Sequence, residues 1–324
     1  MRAIRVHETG GPEALRAEEL PRPEPGPGEA LVAVAAAGIN FIDIYQRSGL
    51  YALPLPFTAG SEAAGTVEAV GEGVSGLAVG ERVAYCGVLG AYAEYAAVPA
   101  DRLVRIPDGV TPLEAAALML QGMTAHYLAV DTFPLAAGDT ALVHAGAGGV
   151  GLLLTQLAKR RGAAVVSTVS TGDKAELSER AGADHVILYR ERDFAAETER
   201  LLGPRSIDVV YDSVGRDTLR GSMSVLRPRG MLVSYGQSSG PPEPVETREL
   251  QDAGSIFLTR PSLAHYIARR EELERRAADL LRWVADGELA LRIDRQLPLE
   301  EAAEAQRLLA SRATAGKLLL VTAR

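Results

Sequence analysis

Three glycines in the stretch VHAGAGGVG (143–151) have spacing that could do chemistry: Gly146, Gly148 and Gly151 satisfy G-x-G-x-x-G. With a strand before it and a helix after it, such a turn lets backbone N–H groups approach a dinucleotide pyrophosphate at a helix N-terminus. The residues before Gly146 read as a strand (TALVH), and LLLTQLAKR after Gly151 reads as a helix. A second match, GEGVSG at Gly71, Gly73 and Gly76, lies between the β-like stretches GTVEAV and LAVGERV. No helix there can supply a dipole, so that match reads as a turn. The flanks, not the glycines, make residues 143–151 the cofactor loop.

The identity of the dinucleotide is decided about twenty residues further on, where an acid usually binds the ribose 2′-hydroxyl of NAD. Here the chain reads STVSTGDK, with Ser170 and Thr171 in that place and Lys174 one turn into the next helix. Small hydroxyls leave room for a 2′-phosphate and the lysine pairs with it, so NADPH is the expected cofactor. A charge-assisted contact of this kind contributes about 1.5–3 kcal/mol, roughly 10–100-fold in affinity. Tyr189 would cover the adenosine side, with Arg190 and Arg192 as reserve positive charge. Asp173 is the dissenting residue, because an inward carboxylate there would favour NADH.

Other chemistries find no support. GQSSG (236–240) matches the nucleophile elbow G-x-S-x-G, but PPEP follows where that motif needs a helix. The five histidines are scattered, and His144, ending an apolar strand, reads as a structural residue. A single cysteine, Cys86, allows neither an intrachain disulfide nor a multi-cysteine zinc site, and no H-E-x-x-H occurs. The reactive group is then the cofactor itself, which the protein positions.

The elements that must position these residues fall into two textures. Up to about residue 100, short strands (AIRVH, EALVAVAAAG, GTVEAVG, ERVAYC, AYAEYAAV) are separated by Gly/Pro turns, with a helix near 40–48. This predicts a small barrel-like β domain. Thr111 with Glu114 reads as a capping box opening a helix. From residue 139, six apolar strands (140–144, 164–169, 185–188, 207–212, 231–236, 255–259) alternate with helix-length crossovers at about 148–161, 172–182, 191–201, 215–226 and 247–252. That is the pattern of a doubly wound parallel sheet in an α/β protein. One long amphipathic helix is expected from 262 to about 286, and GKLLLVTAR offers a last strand returning to the first domain. At 324 residues two domains are expected. The net charge of −8 gives no electrostatic reason to expect nucleic acid or an anionic membrane as partner. No apolar run reaches the length of a membrane span, so a cytoplasmic protein is expected. Only three lysines occur, Lys159, Lys174 and Lys317, which makes the position of each informative.

The chain resembles the medium-chain dehydrogenase/reductase superfamily, and within it the zinc-free, ζ-crystallin-like quinone oxidoreductases. The resemblance rests on GINFIDIYQRSGLY (38–51), AGSEAAGTVEAVGEGV (59–74), HAGAGGVG (144–151), YDSVGRDT (211–218), TRPSL (259–263) and SRATAGKLLL (311–320). It implies a GroES-like catalytic domain from residues 1–122 and 261–324, split around a Rossmann NADP-binding domain at 123–260. Zinc-dependent relatives carry a cysteine and a G-H-E where this chain has Asn40 and Gly60-Ser61-Glu62. The resemblance therefore implies NADPH-dependent reduction of a quinone, or another electron-poor acceptor, without metal. It implies that Asn40, Asp43 and Tyr45 line the reactive cleft with Tyr51 at its rim. It further implies cofactor contacts from Phe41, Ile42, Thr124, Tyr127, Gly148, Gly149, Val150, Ser170, Thr171, Lys174, Tyr189, Ser213, Gly236, Gln237, Ser238, Phe257, Arg260 and Arg312. Gln121, where close relatives carry lysine, and Ser170, where they carry glycine, depart from the pattern. Two alternatives stay open: an enone or alkenal reductase sharing the same cofactor site, and a non-catalytic crystallin-like nucleotide- or RNA-binding role. A homodimer paired through the strand SIFLT is the family expectation.

Overall fold

The computed structural model describes residues 1–322. The chain forms two compact units, one from residues 1–123 with 266–324 and the other from residues 124–265. Eight strands come first: β1 (Arg2–Val6), β2 (Leu15–Glu19), β3 (Glu29–Gly38), β4 (Phe57–Thr58), β5 (Glu62–Val70), β6 (Arg82–Cys86), β7 (Tyr95–Pro99) and β8 (Val104–Arg105). Six more, β9 (Thr140–His144), β10 (Ala164–Val169), β11 (His185–Leu188), β12 (Ile207–Asp212), β13 (Leu226–Ser234) and β14 (Phe257–Thr259), belong to the second unit. The last two, β15 (Ile293–Pro298) and β16 (Lys317–Val321), return to the first.

In the first unit β2-β1-β4 make a small antiparallel sheet. A larger sheet runs β15-β16-β3-β5-β6-β8, with β7 also paired to β3. All its pairings are antiparallel except β15 with β16. This is the β domain that the short glycine-bounded strands predict, in the place where the resemblance implies a GroES-like domain. The tail closes it as expected: Leu319, Leu320 and Val321 of β16 face Gly38, Ala37 and Ala36 of β3. Inward-facing Val32, Val34, Val67, Val83, Tyr85, Leu318 and Leu320 build its core. GEGVSG is the turn between β5 and β6, where Gly73 and Gly76 both take positive φ.

The second unit is a six-stranded parallel sheet ordered β11-β10-β9-β12-β13-β14. Counted within the unit this is 3-2-1-4-5-6, the doubly wound Rossmann order. TALVH, AVVSTV and IDVVYD suit strands covered on both faces because they are mainly apolar and buried along nearly their whole length. Leu142, Val166, Ile187, Val210 and Leu232, one per strand from β9 to β13, meet in a single core.

Two expectations need correction. The long helix expected from residue 262 is two helices, Leu263–Tyr266 and Arg270–Ala285. Arg269 turns to an extended conformation and caps the second, whose first turn carries Glu271 and Glu272. That acidic pair is an N-terminus signal. The helix expected at 215–226 is shorter, Leu219–Val225, because Val214 to Thr218 form a turn folded around Asp212.

Candidate active site and cofactor cradle

In the Rossmann unit the glycines of the loop after β9 are there for space. A Cβ on Gly146 would sit 1.8 Å from Ser167 Oγ, and one on Gly151 would sit 2.4 Å from the Ala145 carbonyl oxygen. Ala145 turns the chain with φ of 54°, and Gly148 caps the helix Gly149–Arg160. The first-turn N–H groups of that helix, Gly149 and Val150 included, have no intrahelical acceptor and are placed for an anion.

Because the strands are parallel, their C-terminal ends share one edge of the sheet. That edge brings together Gly148, Gly149 and Val150 after β9, Ser170 and Thr171 after β10, and Tyr189 after β11. It also holds Ser213 after β12 and Gly236, Gln237 and Ser238 after β13. Tyr189 donates its N–H to the Val169 carbonyl at 3.1 Å, which sets it beside Ser170. Thr171 caps the helix Gly172–Arg180, so Lys174, half-buried, stands in its first turn, and Asp173 is exposed. Arg192 is committed elsewhere, to Glu197 at 2.6 Å. Arg200 and Arg192 together hold the Glu197 carboxyl down at about 2.

The loops after β12 and β13 are stitched to each other. Ser238 and Ser239 donate their N–H groups to the Ser213 and Val214 carbonyls, and Arg216 donates to that of Gly240. Arg260 donates to the Ser234 and Gly236 carbonyls and to Gln237 Oε1, each at 3.2 Å. Gly236 has no room for a side chain, with Ser213 O at 2.7 Å from its would-be Cβ. GQSSG is thus a strand-end loop, and no helix begins until Thr247. His144 is structural, as expected. Its Nδ1 pairs with Thr168 Oγ1 at 2.9 Å, its Nε2 with Ser222 Oγ at 3.0 Å, and burial lowers its pKa.

Phe257 stands apart from this edge. It opens β14 opposite Met231 and is 57% exposed. Thr124 and Tyr127, both buried, end the helix Pro112–Tyr127, which the Thr111–Glu114 capping box opens. Arg312 follows the helix Ala302–Ala310 with φ of 58°.

In the GroES-like unit Asn40 caps the short helix Phe41–Arg47. Its backbone N–H is held at 2.8 Å by Asp43 Oδ2, which also accepts from the Tyr92 hydroxyl at 2.8 Å. Asp43 Oδ1 is buried with no hydrogen-bond partner. Burial lifts the Asp43 carboxyl to about 6, and the hydrogen bond from Tyr92 only partly offsets this. The same helix presents Phe41, Ile42 and Tyr45, all half-buried. The Tyr45 ring lies 6.1 Å from that of Phe41 and meets Tyr51 edge-on at 5.3 Å. Together they form a contiguous aromatic patch, with Tyr51 38% exposed.

Sequence reasoning missed two members of this site. Glu62 and Lys317 form an ion pair at 2.6 Å, 0% and 1% exposed, and both bond to the Asn40 side chain. The available signal was a rare lysine in an otherwise apolar strand, KLLLV. Among the described residues no group of three His, Cys, Asp or Glu side chains could hold a metal ion, and no helix is long and apolar enough to cross a membrane.

A dinucleotide-type sheet edge in one unit and a GroES-like β domain in the other define a medium-chain dehydrogenase/reductase. Comparison with known proteins agrees. The alcohol dehydrogenase GroES-like domain matches residues 26–108, and the zinc-binding dehydrogenase family matches residues 181–320. The quinone oxidoreductase of Pseudomonas aeruginosa is 44% identical across 96% of this chain and 97% of its own. The 2-haloacrylate reductase of a Burkholderia species is 41% identical across 98% and 97%. The crystal structure of the Escherichia coli quinone oxidoreductase complexed with NADPH superposes with a TM-score of 0.97 at 42% identity, covering 99% of this chain and 100% of that one. The chain is an oxidoreductase and belongs to the quinone oxidoreductase family.

Proposed function

We propose that the protein reduces quinones with NADPH and without zinc. Two observations carry this: in one unit a strand end followed by Ser170, Thr171 and Lys174, with no acid on the strand end itself, and in the other an aromatic patch of Phe41 and Tyr45 on the helix capped by Asn40 with Tyr51 just beyond that helix. When bound, NADPH supplies hydride equivalents. The Gly149 and Val150 N–H groups hold its pyrophosphate, Ser170, Thr171 and Lys174 its 2′-phosphate, and Tyr189 its adenosine. Ser213, Gly236, Gln237, Ser238 and Arg260 complete the edge on which the cofactor lies.

The positions that hold cysteine and histidine in zinc-dependent relatives are Asn40 and Ser61. Asn40 spends its amide on Lys317, Glu62 and the Gly38 carbonyl. Neither is a thiolate or an imidazole, the ligands zinc prefers. A quinone is electron-poor enough to accept hydride without a Lewis acid, and its flat ring suits stacking on Tyr45 and Tyr51. Two copies pair through the exposed edge strand β14, and the protein acts in the cytoplasm.

A second reading has specific support in the likeness to 2-haloacrylate reductase: hydride addition to an activated carbon–carbon double bond at the same cofactor site. One experiment separates the two. The protein is assayed with NADPH against a panel of benzoquinones, naphthoquinones, α,β-unsaturated aldehydes and haloacrylates, and dissociation constants for NADPH and NADH are measured. Quinones with the highest kcat/KM and tighter NADPH support the proposal. Acrylates or enals far ahead of quinones favour the second reading, and tighter NADH sinks the assignment at Lys174.

A further inference from the structure

We infer that Glu62 and Lys317 are positioning residues for the acceptor site, holding Asn40 and through it the start of the helix that carries Phe41 and Tyr45. The inference rests on the functional reading above for what that helix does. The Asn40 side chain is gripped from both ends. Its Oδ1 accepts from Lys317 Nζ at 2.7 Å, while its Nδ2 donates to Glu62 Oε2 at 2.9 Å and to the Gly38 carbonyl at 3.2 Å. Lys317 Nζ also donates to Glu62 Oε2 at 2.6 Å, and Glu62 Oε1 accepts the Leu120 N–H at 2.5 Å. Three segments thus meet on one planar amide, the end of β3, the start of β5 and the start of β16, and the helix Pro112–Tyr127 joins them through Glu62.

The chain makes room for this arrangement. A Cβ on Gly38 would lie 2.2 Å from Glu62 Oε2 and 2.7 Å from both Lys317 Cε and the Ala116 carbonyl. Stability alone does not call for such a cluster, since apolar residues of similar volume usually match or exceed a buried ion pair. What the pair adds is direction. It leaves Asn40 one orientation, and the N–H of Asn40 is bonded at 2.8 Å to Asp43, two residues before Tyr45 on the same helix. Spent in this way, the amide acts through the helix it starts and not on a ligand.

The test compares wild type, Lys317→Met, Glu62→Gln and the double variant. Each is assayed with whichever acceptor of the panel the wild type reduces best. A failure of the quinone reading is thereby separated from a failure of this inference. The double variant leaves no uncompensated charge and keeps the experiment decisive if a single variant does not fold. The expected result is an acceptor KM raised about tenfold or more in the double variant, with kcat lowered less and the NADPH dissociation constant within about twofold of wild type. An acceptor KM equal to wild type in a folded double variant overturns the inference. So does a parallel loss of NADPH affinity, which would mark general loosening.

Discussion

Replacing Gly151 with alanine tests the cofactor cradle most directly, because the obstruction there is backbone. The new Cβ would lie 2.4 Å from the Ala145 carbonyl oxygen and 2.8 Å from the Cα and carbonyl oxygen of Gly146. Neither contact ends in a flexible side chain that can swing away. The loop and the first turn of the helix Gly149–Arg160 must separate by about 0.6–1 Å to reach ordinary contact distance. Overpacking of this kind costs about 1–3 kcal/mol, and Ala145, already left-handed at φ of 54°, has little freedom to absorb it. If that strain falls on the loop proposed to receive the pyrophosphate, NADPH binding weakens roughly 5- to 150-fold. Alanine gains up to about 1 kcal/mol over glycine in a helix, so the melting temperature should move less than the affinity. Fluorescence titration with NADPH measures the effect. Gly10→Ala, whose Cβ meets nothing nearer than 3.7 Å, serves as the control. An affinity within twofold of wild type for Gly151→Ala would refute the reasoning.

Two further substitutions probe buried groups. Burial raises the Asp43 carboxyl from 3.8 to about 6, so the folded chain holds that proton more tightly than the unfolded one. Its contribution to stability is full below about pH 4 and is lost as pH rises through about 6. The stability of wild type minus that of Asp43→Asn should therefore fall by up to about 3 kcal/mol across that range in urea denaturation; a flat difference contradicts the assignment. His144→Leu takes the ring away from the buried Thr168 hydroxyl and leaves Ser222 Oγ its bond to Asp212 Oδ2. It should lower stability by about 1–3 kcal/mol, read as a drop in melting temperature, and an unchanged melting temperature would show that the ring is dispensable.

The sheet edge was legible in the sequence because each of its parts is local. TALVH, the glycine loop and LLLTQLAKR state strand, turn and helix within twenty residues, and STVSTGDK follows at the expected distance. The capping box at Thr111 and Glu114 and the helix at 247–252 were legible for the same reason. The Asn40 cluster was not, because its chemistry is made by pairing across the fold. Glu62 lies 22 residues from Asn40 and Lys317 lies 277. Nothing in KLLLV indicates that its lysine faces a carboxylate, since strand periodicity alone would place it on either face. The break at Ile267–Arg269 is not legible because the apolar positions Leu273, Ala277, Leu280, Leu281 and Val284 fix the helix's period but not its start, and Glu271 and Glu272 suit a charged helix face as well as a first turn.

Lys317 follows Glu62 by 255 residues, and this separation sets an order of events during synthesis. Glu62 leaves the ribosome 255 residues before the ammonium group that will neutralise it. At about 5–20 residues per second this is a wait of roughly 13–50 s. During that interval the entire Rossmann unit is made and is free to fold, whereas the β domain still lacks β16, one of the three strands that pair with β3. The β domain is therefore completed after the Rossmann unit, and Asn40, which caps the helix Phe41–Arg47, gains its bond to Lys317 only then.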